Sequence, residues 1–267
     1  MGLNQASFKR DVEHDAGSQA VWARRRSARL SYESSEVGGM GKQVVTGWAG
    51  CLLGIALVLP VVSRAAAPSF DCAHASTSVE TAICGSPALT GADRAMADAY
   101  RVARERLDRD AGRKLVEDQK AYLVARDQAF HDASSRADEK GLRENMESRT
   151  RFLRGIPARA PAGFSGRWGS VGGLVVVDAA DGAYKVSVNT VEPDMGRWVC
   201  DAGGIGAIVD GKLVVKVDGG AVVRLSRDGP LLKVETQPPS NVQDWHAPYC
   251  GTSGSLDGEY FPSSGAN

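Results

Sequence analysis

The chain has 267 residues, with 32 basic and 32 acidic side chains, and 43% of its residues are hydrophobic. This composition is typical of a globular protein and excludes a disordered or fibrous chain. Because the net charge is zero, no overall basic field favours nucleic acid as a partner. Only one uncharged apolar run, residues 44–62, is long enough to span a membrane, so a multi-span membrane protein is excluded.

That apolar run indicates export. Lys42 precedes it and the segment Ser-Arg-Ala-Ala-Ala at residues 63–67 follows it, which is the order of a secretory signal peptide. Signal peptidase disfavours a proline directly after the cut, so Pro68 places cleavage after Ala65. We therefore expect a periplasmic or secreted protein.

Residues 1–65 are accordingly predicted to be an N-terminal extension with a signal peptide. We take Met40 as the true start of translation. If residues 1–39 are translated, the alternative is an uncleaved signal anchor. Only in that case is the protein predicted to be attached to a membrane.

The first part of the mature chain is predicted to be helical, from residue 77 to residue 154. Thr77 and Glu80 form the pattern of a capping box, and Ser86 followed by Pro87 predicts the start of a second helix. Beyond them, apolar residues recur every three or four positions, which predicts a small helical bundle. Two prolines between residues 156 and 163 predict a linker, so the first domain is placed at 68–155.

Residues 164–267 show the two-residue period of β-strands. Val186 and Val188 alternate with polar residues, as do Leu213 and Val215. Asp-Gly pairs at 181, 210, 218, 228 and 257 predict hairpin turns. About eight short strands are expected, in an antiparallel barrel or sandwich. The fold class is therefore α+β in two domains, a helical bundle followed by a small all-β domain.

The region 68–154 combines a distinctive spacing around its first cysteine pair with a Gln-x-x-aromatic-Leu-x-x-Arg-Asp run. The residues concerned are Cys72, Cys84, Asp93, Met96, Tyr100, Gln119, Tyr122, Leu123, Arg126, Asp127, Leu142 and Arg149. With these residues the region resembles the N-terminal domain of the LprI-type lysozyme inhibitors. The resemblance implies an exported, helical, disulfide-bonded domain whose partner is lysozyme.

Two positions differ from the family pattern. The family's second cysteine pair is absent, and its positions fall near Gln128 or Ala129 and at Gly141. The aromatic residue of the run, usually Trp, is Tyr122. Without the second disulfide, packing of the last two helices is expected to depend on apolar residues such as Phe130.

The mature chain keeps four cysteines, Cys72, Cys84, Cys200 and Cys250. An even number in an exported chain favours disulfides over metal binding or catalysis. We predict that Cys72 pairs with Cys84, because an extended lead-in can fold back on the short helix, and that Cys200 pairs with Cys250. No metal ligands and no cofactor are expected.

Some polar residues fall on the predicted apolar faces of the helices, and we interpret them as structural pairs. If the second and third helices are antiparallel, Asp93 faces Arg126 and Tyr100 faces Gln119, and such pairs satisfy each other inside a bundle. Searches for a nucleophile motif and for a phosphate-binding loop fail. We therefore expect no catalytic residues, and no partner-binding residues are assigned from the sequence.

The predicted function is that of an exported, non-enzymatic protein that binds lysozyme and protects the cell wall. The alternative is a non-catalytic envelope binding module, in which the β domain holds a glycan, a lipid or a protein. Aromatic residues of the β domain, Trp168, Trp198, Trp245 and Tyr249, either fill its core or line such a pocket.

Overall fold

The structure of the protein is a computed structural model. It describes residues 67–131, 136–193, 195–240 and 242–264. The predicted signal peptide, the start at Met40 and the cleavage site after Ala65 lie outside these residues. Among the described residues, no helix has the length and apolar character that crossing a membrane requires.

Four α-helices follow a short 3₁₀ turn at Cys72–His74 within the described residues. They are α1 (Ser78–Gly85), α2 (Pro87–Arg106), α3 (Arg109–Ala129) and α4 (Arg136–Gly155). The capping box of Thr77 and Glu80 is present, and Ser86 caps α2 with Pro87 at its first position. Local sequence signals therefore set where these helices begin.

Eight antiparallel strands follow in the described part of the chain and close into a barrel. They are β1 (Gly166–Ser170), β2 (Gly173–Ala180), β3 (Ala183–Val191), β4 (Val199–Val209), β5 (Lys212–Lys216), β6 (Val222–Asp228), β7 (Leu231–Gln237) and β8 (Gly258–Ser263). Each strand pairs with the next, and β8 pairs with β1. The α+β prediction is confirmed, and the all-β part is a barrel rather than a sandwich.

The Asp-Gly pairs serve several kinds of turn. Asp181-Gly182 and Asp210-Gly211 have positive φ at both residues and form the tight hairpins between β2 and β3 and between β4 and β5. Asp218 begins a 3₁₀ turn, whereas Asp257-Gly258 leads into β8 after a long connection. Only some of these pairs therefore close a two-residue hairpin.

Large apolar side chains fill the barrel interior. Trp168 and Tyr260 are almost completely buried there among valines and leucines of the other strands. Trp168 donates from Nε1 to the carbonyl of Phe164 at 2.8 Å. Trp168 is thus a core residue, as expected for a small barrel.

Helix α4 packs against the seam where β8 meets β1. The ring of Phe152 meets that of Phe261 edge to face, with centroids 6.4 Å apart. Gly169 on β1 leaves room for Phe152, because a Cβ at this glycine would lie 3.0 Å from the ring. Leu231 and Phe261 of the barrel are buried with the helical core, so the helices and the barrel share apolar packing.

Candidate partner-binding cleft

An open cleft of about 210 Å³ lies where α3 and α4 meet the hairpin between β1 and β2. Its helical wall carries aromatic and polar side chains, and its barrel wall is mostly backbone and small side chains. The lining residues are Tyr122, Asn145, Ser148, Arg149, Phe152, Gly169, Ser170, Val171, Gly173 and Leu174.

Arg149 is the centre of the helical wall. It is buried, and its guanidinium lies 5.0 Å from the ring centre of Tyr122 and 4.7 Å from that of Phe152. Its Nε donates to Gln119 at 2.9 Å, and its Nη2 donates to Asp118. A cation held between two rings and paired with a carboxylate is fixed in position.

Asp118 connects this cluster to the barrel. One of its carboxylate oxygens accepts from Arg149, and the other accepts from the backbone N–H of Val171 at 2.7 Å. Val171 lies in the turn between β1 and β2. The same carboxylate therefore sets both walls of the cleft.

Tyr122 provides the second fixed polar group. Its hydroxyl donates to Oδ1 of Asn145 at 2.8 Å. Burial raises the pKa of Tyr122 to about 12, although Arg126 and Arg149 oppose this rise. The phenol is therefore neutral at physiological pH and acts as a hydrogen-bond donor.

The cleft presents groups that can bind a partner. Arg149, Asp118 and Gln119 are already engaged with one another. Among the described residues, neither the amide nitrogen of Asn145 nor the hydroxyl of Ser148 makes a hydrogen bond, so both can serve a partner. Together with the Phe152 ring, these groups fit a segment that presents both polar and apolar groups.

A larger groove, of about 290 Å³, lies between the α2–α3 turn and the β6–β7 hairpin. It has mixed charge, with Asp108, Asp110 and Asp228 beside Arg113 and Lys114. Asp108 caps α3, and Asp110 pairs with Arg113 at 2.8 Å. These groups stabilise a helix start, and the Gln-x-x-aromatic run does not contribute to the groove.

The polar residues predicted to pair have other partners in the structure. Asp93 accepts from the backbone N–H of Ser69 at 2.6 Å, and Arg126 donates to Asp127 at 2.6–2.8 Å. The Arg104 guanidinium lies 5.8 Å from the ring centre of Tyr100, and Gln119 accepts from Arg149. Among the described residues, no hydrogen bond joins Asp93 to Arg126 or Tyr100 to Gln119, so that pairing is corrected.

The reason lies in the arrangement of the helices. Helix α2 approaches α4 closely along its length and α3 at few positions. Ser86 donates to Glu139, and Arg106 donates to the carbonyl of Ile156 at 3.1 Å, so α2 and α4 run side by side in the same direction. A register that treats α2 and α3 as an isolated antiparallel pair therefore assigns the wrong neighbours.

Both predicted disulfides are present. Cys72 is bonded to Cys84, with the two Cα atoms 5.9 Å apart, and Cys200 is bonded to Cys250. The second bridge ties the long connection between β7 and β8 to the start of β4. In the chain-entropy account, loops of these lengths contribute roughly 3 and roughly 4 kcal/mol to stability. Two disulfides are typical of proteins in an oxidising compartment.

Phe130 occupies the region of the missing second disulfide. A Cβ at Gly141 would lie 3.1 Å from the Phe130 ring, so this glycine lets the ring pack against α4. Leu142 and Met146 are fully buried beside it. Close apolar packing therefore joins α3 and α4 where the family pattern has a cysteine pair.

Residues 72–163 match the family model described as lysozyme inhibitor LprI. This confirms the predicted resemblance for the helical part, which we call the LprI-like part. No curated protein and no solved structure matches the chain. Two residues of the resemblance, Tyr122 and Arg149, line the cleft, and a third, Gln119, accepts a hydrogen bond from Arg149.

Sequence reasoning missed several residues at this site. Asp118 was not singled out, although its place beside Gln119 on α3 was a usable signal. Asn145 and Ser148 were also missed, and each lies four residues before a cleft residue on α4, the spacing that brings side chains to one helix face. Ser170 had no such signal, since only the packing of the barrel on the helices brings it to the cleft.

Proposed function

We propose that this protein is exported and binds lysozyme through its LprI-like part, and that binding lowers lysozyme activity on the cell wall. The observation that carries the proposal is the family match over residues 72–163. The name of that family specifies inhibition of lysozyme. The proposed role is non-enzymatic and uses no cofactor.

Export to the periplasm or the medium is part of the proposal. It is supported by the two disulfides and by the signal pattern that ends near Ala65. Residues 67–69 are held against helix α2 by two hydrogen bonds. Arg94 donates to the carbonyl of Ala67 at 3.1 Å, and Asp93 accepts from the backbone N–H of Ser69. A chain cut after Ala65 would therefore begin close to the helical part.

We further propose two domains, at 68–155 and 164–267, joined by residues 156–163. Contacts between them include the ion pair of Lys114 with Glu259 at 3.0 Å and two hydrogen bonds from Ser264 to the carbonyl of Gly155. These contacts support a fixed position of the β1–β2 hairpin beside α3 and α4, where the cleft lies.

The cleft is the proposed contact surface for lysozyme. Arg149 is neutralised by Asp118, so the cleft offers little net charge. Recognition would therefore depend on shape, on the Phe152 ring and on the free groups of Asn145 and Ser148. Animal-type lysozymes are strongly basic, but this mode of binding should be only weakly sensitive to salt.

A pair of tryptophan substitutions tests the cleft. Ser148→Trp fills it from an exposed helix position, whereas Lys140→Trp places the same side chain on α4 away from the lining residues. Lysozyme clearing of a cell-wall suspension is measured with each oxidised protein. We expect Ser148→Trp to weaken inhibition roughly tenfold or more and Lys140→Trp to inhibit like the unchanged protein. Equal inhibition by both variants would exclude the cleft as the contact surface.

A second candidate function is an envelope binding module without inhibitory activity. The observation that favours it is the extent of the match, which ends at residue 163, before β1 begins at Gly166. The barrel therefore has no assigned partner. A complex with lysozyme that leaves the clearing rate unchanged, or a complex with another envelope component, would favour this function over inhibition.

A further inference from the structure

One side of the barrel exposes large apolar side chains. Ile205 and Val209 on β4 are 63% and 54% exposed, and Ile208 is 50% exposed at the end of the barrel. Outward positions of an antiparallel sheet are normally polar when water covers them. In the strand order, β4 lies on the side of the barrel away from the β8–β1 seam that α4 covers.

The same part of β4 has an open backbone edge. Its pairing with β3 ends at Tyr184 and Gly206, whereas Ala207 to Val209 continue to pair with β5. Within the described residues, no strand covers the β3 side of these last three positions. An uncovered strand edge with apolar side chains is a template for pairing with another strand.

Charges of both signs surround this edge. Lys185 and Lys212 lie in cross-strand positions next to Ile205 and Val209, and Asp178 and Asp210 lie beside them. Among the described residues, none of these four charged groups forms an ion pair. A strongly basic protein or an anionic lipid surface would favour a rim of one sign, whereas a mixed rim can complement a copy of itself.

We infer that a second copy of this chain docks at the β4 edge, with residues 207–209 of the two copies pairing antiparallel across a two-fold axis. Such a contact is self-complementary and closed, so it gives a dimer and not a filament. Ile205 and Val209 of each copy would cover one another beside the paired edges. The cleft at α3 and α4 lies beside the β1–β2 hairpin, away from this edge, and stays open.

Sedimentation velocity of the oxidised protein, from low to high micromolar concentration, tests this contact. We expect a concentration-dependent dimer, and we expect the double substitution Ile208→Lys and Val209→Lys to weaken it roughly tenfold or more. Val124→Lys is the matched control, because Val124 is 52% exposed on α3, and it should dimerise like the unchanged protein. A monomer at all concentrations, or a dimer that persists in the double variant, would overturn the inference.

Hydrogen exchange of the unchanged protein gives a second measurement that does not depend on a variant's folding. Backbone amides of residues 205–209 should exchange more slowly at high than at low protein concentration, while those of α3 keep one rate. If concentration-dependent protection were confined to another segment, or were absent, a second copy would not bind at the β4 edge.

Discussion

Arg149 and Asp118 form a buried ion pair at the place where the helices meet the barrel. Asp118 also accepts from the backbone of Val171, so the pair is part of a polar link between the two parts of the protein. A buried pair contributes less to stability than its attraction suggests, because both charges have lost water. Removing one partner alone is costly, because it leaves the other charge buried and unpaired.

Asp118→Ala should therefore lower the free energy of unfolding by roughly 3–5 kcal/mol. Arg143→Ala is the control, since Arg143 pairs with Glu147 at the surface of α4 and such pairs contribute about 1 kcal/mol or less. Urea denaturation of the oxidised proteins measures both values. Similar losses in the two variants would show that the Asp118 link does not stabilise the junction.

Gly169→Val tests the apolar contact at the same junction. A Cβ at this position would lie 3.0 Å from the Phe152 ring, and overpacking of this kind costs about 1–3 kcal/mol. Ser187→Val adds the same side chain to β3, on a part of the barrel that α4 does not cover. We expect thermal denaturation to show a clear loss of stability for Gly169→Val and little change for Ser187→Val. The reverse order would contradict the close packing of Phe152 on β1.

Arg227 joins the segment before β1 to the barrel. Its guanidinium lies 4.4 Å from the Trp168 ring centre and donates to the carbonyls of Gly163, Pro161 and Leu231. A lysine has no planar fork and donates from a single nitrogen, so it cannot reproduce contacts that Arg227 makes from three separate nitrogens. Arg227→Lys should cost about 2 kcal/mol of unfolding free energy.

Arg224→Lys on the same strand is the control for Arg227, because Arg224 is half-buried and makes no ion pair among the described residues. Denaturant titration should leave its stability within about 0.5 kcal/mol of the unchanged protein. If Arg227→Lys were equally neutral, the carbonyl contacts of Arg227 would not contribute to stability.

Alkaline pH should destabilise the protein through Tyr122. Its pKa is raised from 10.0 to about 12 in the folded state, so the unfolded state loses its phenol proton first as pH rises. The stabilising contribution is complete below pH 10 and is lost between pH 10 and about 12. Stability measured by urea denaturation across this range should fall less steeply in Tyr122→Phe.

Tyr260→Phe should also reduce that slope, because burial raises the pKa of Tyr260 inside the barrel. A pH dependence that is unchanged in both the Tyr122 and Tyr260 variants would contradict the proposed role of these buried phenols.

The sequence predicted the features that depend on local pattern. Caps at Thr77 and Ser86 and the alternation in β3 and β5 follow from short-range rules and are present. Both disulfides were expected from the even number of cysteines in an exported chain, and both are present. Closure of the barrel depends on β1 pairing with β8, almost a hundred residues later, and periodicity contains no information on that pairing. The sequence could not show which helix packs on α2 either. An apolar helix face does not specify which of two other helices it contacts.

The cleft shows the same limit of sequence reasoning. Gln119, Tyr122 and Arg149 were noted through the family resemblance, but their contacts were not. The hydrogen bond from the backbone N–H of Val171 to the Asp118 carboxylate joins residues 53 positions apart in the sequence. It forms only when the barrel packs on the helices. Ser170 and Leu174 enter the site through that packing alone.

Direct titration of lysozyme with the oxidised protein, followed in parallel by binding calorimetry and by clearing of a cell-wall suspension, tests the central claim. We predict a defined complex and a clearing rate that falls in proportion to the lysozyme bound. An undiminished clearing rate with no heat of binding, at a clear molar excess of this protein, would contradict the proposed function.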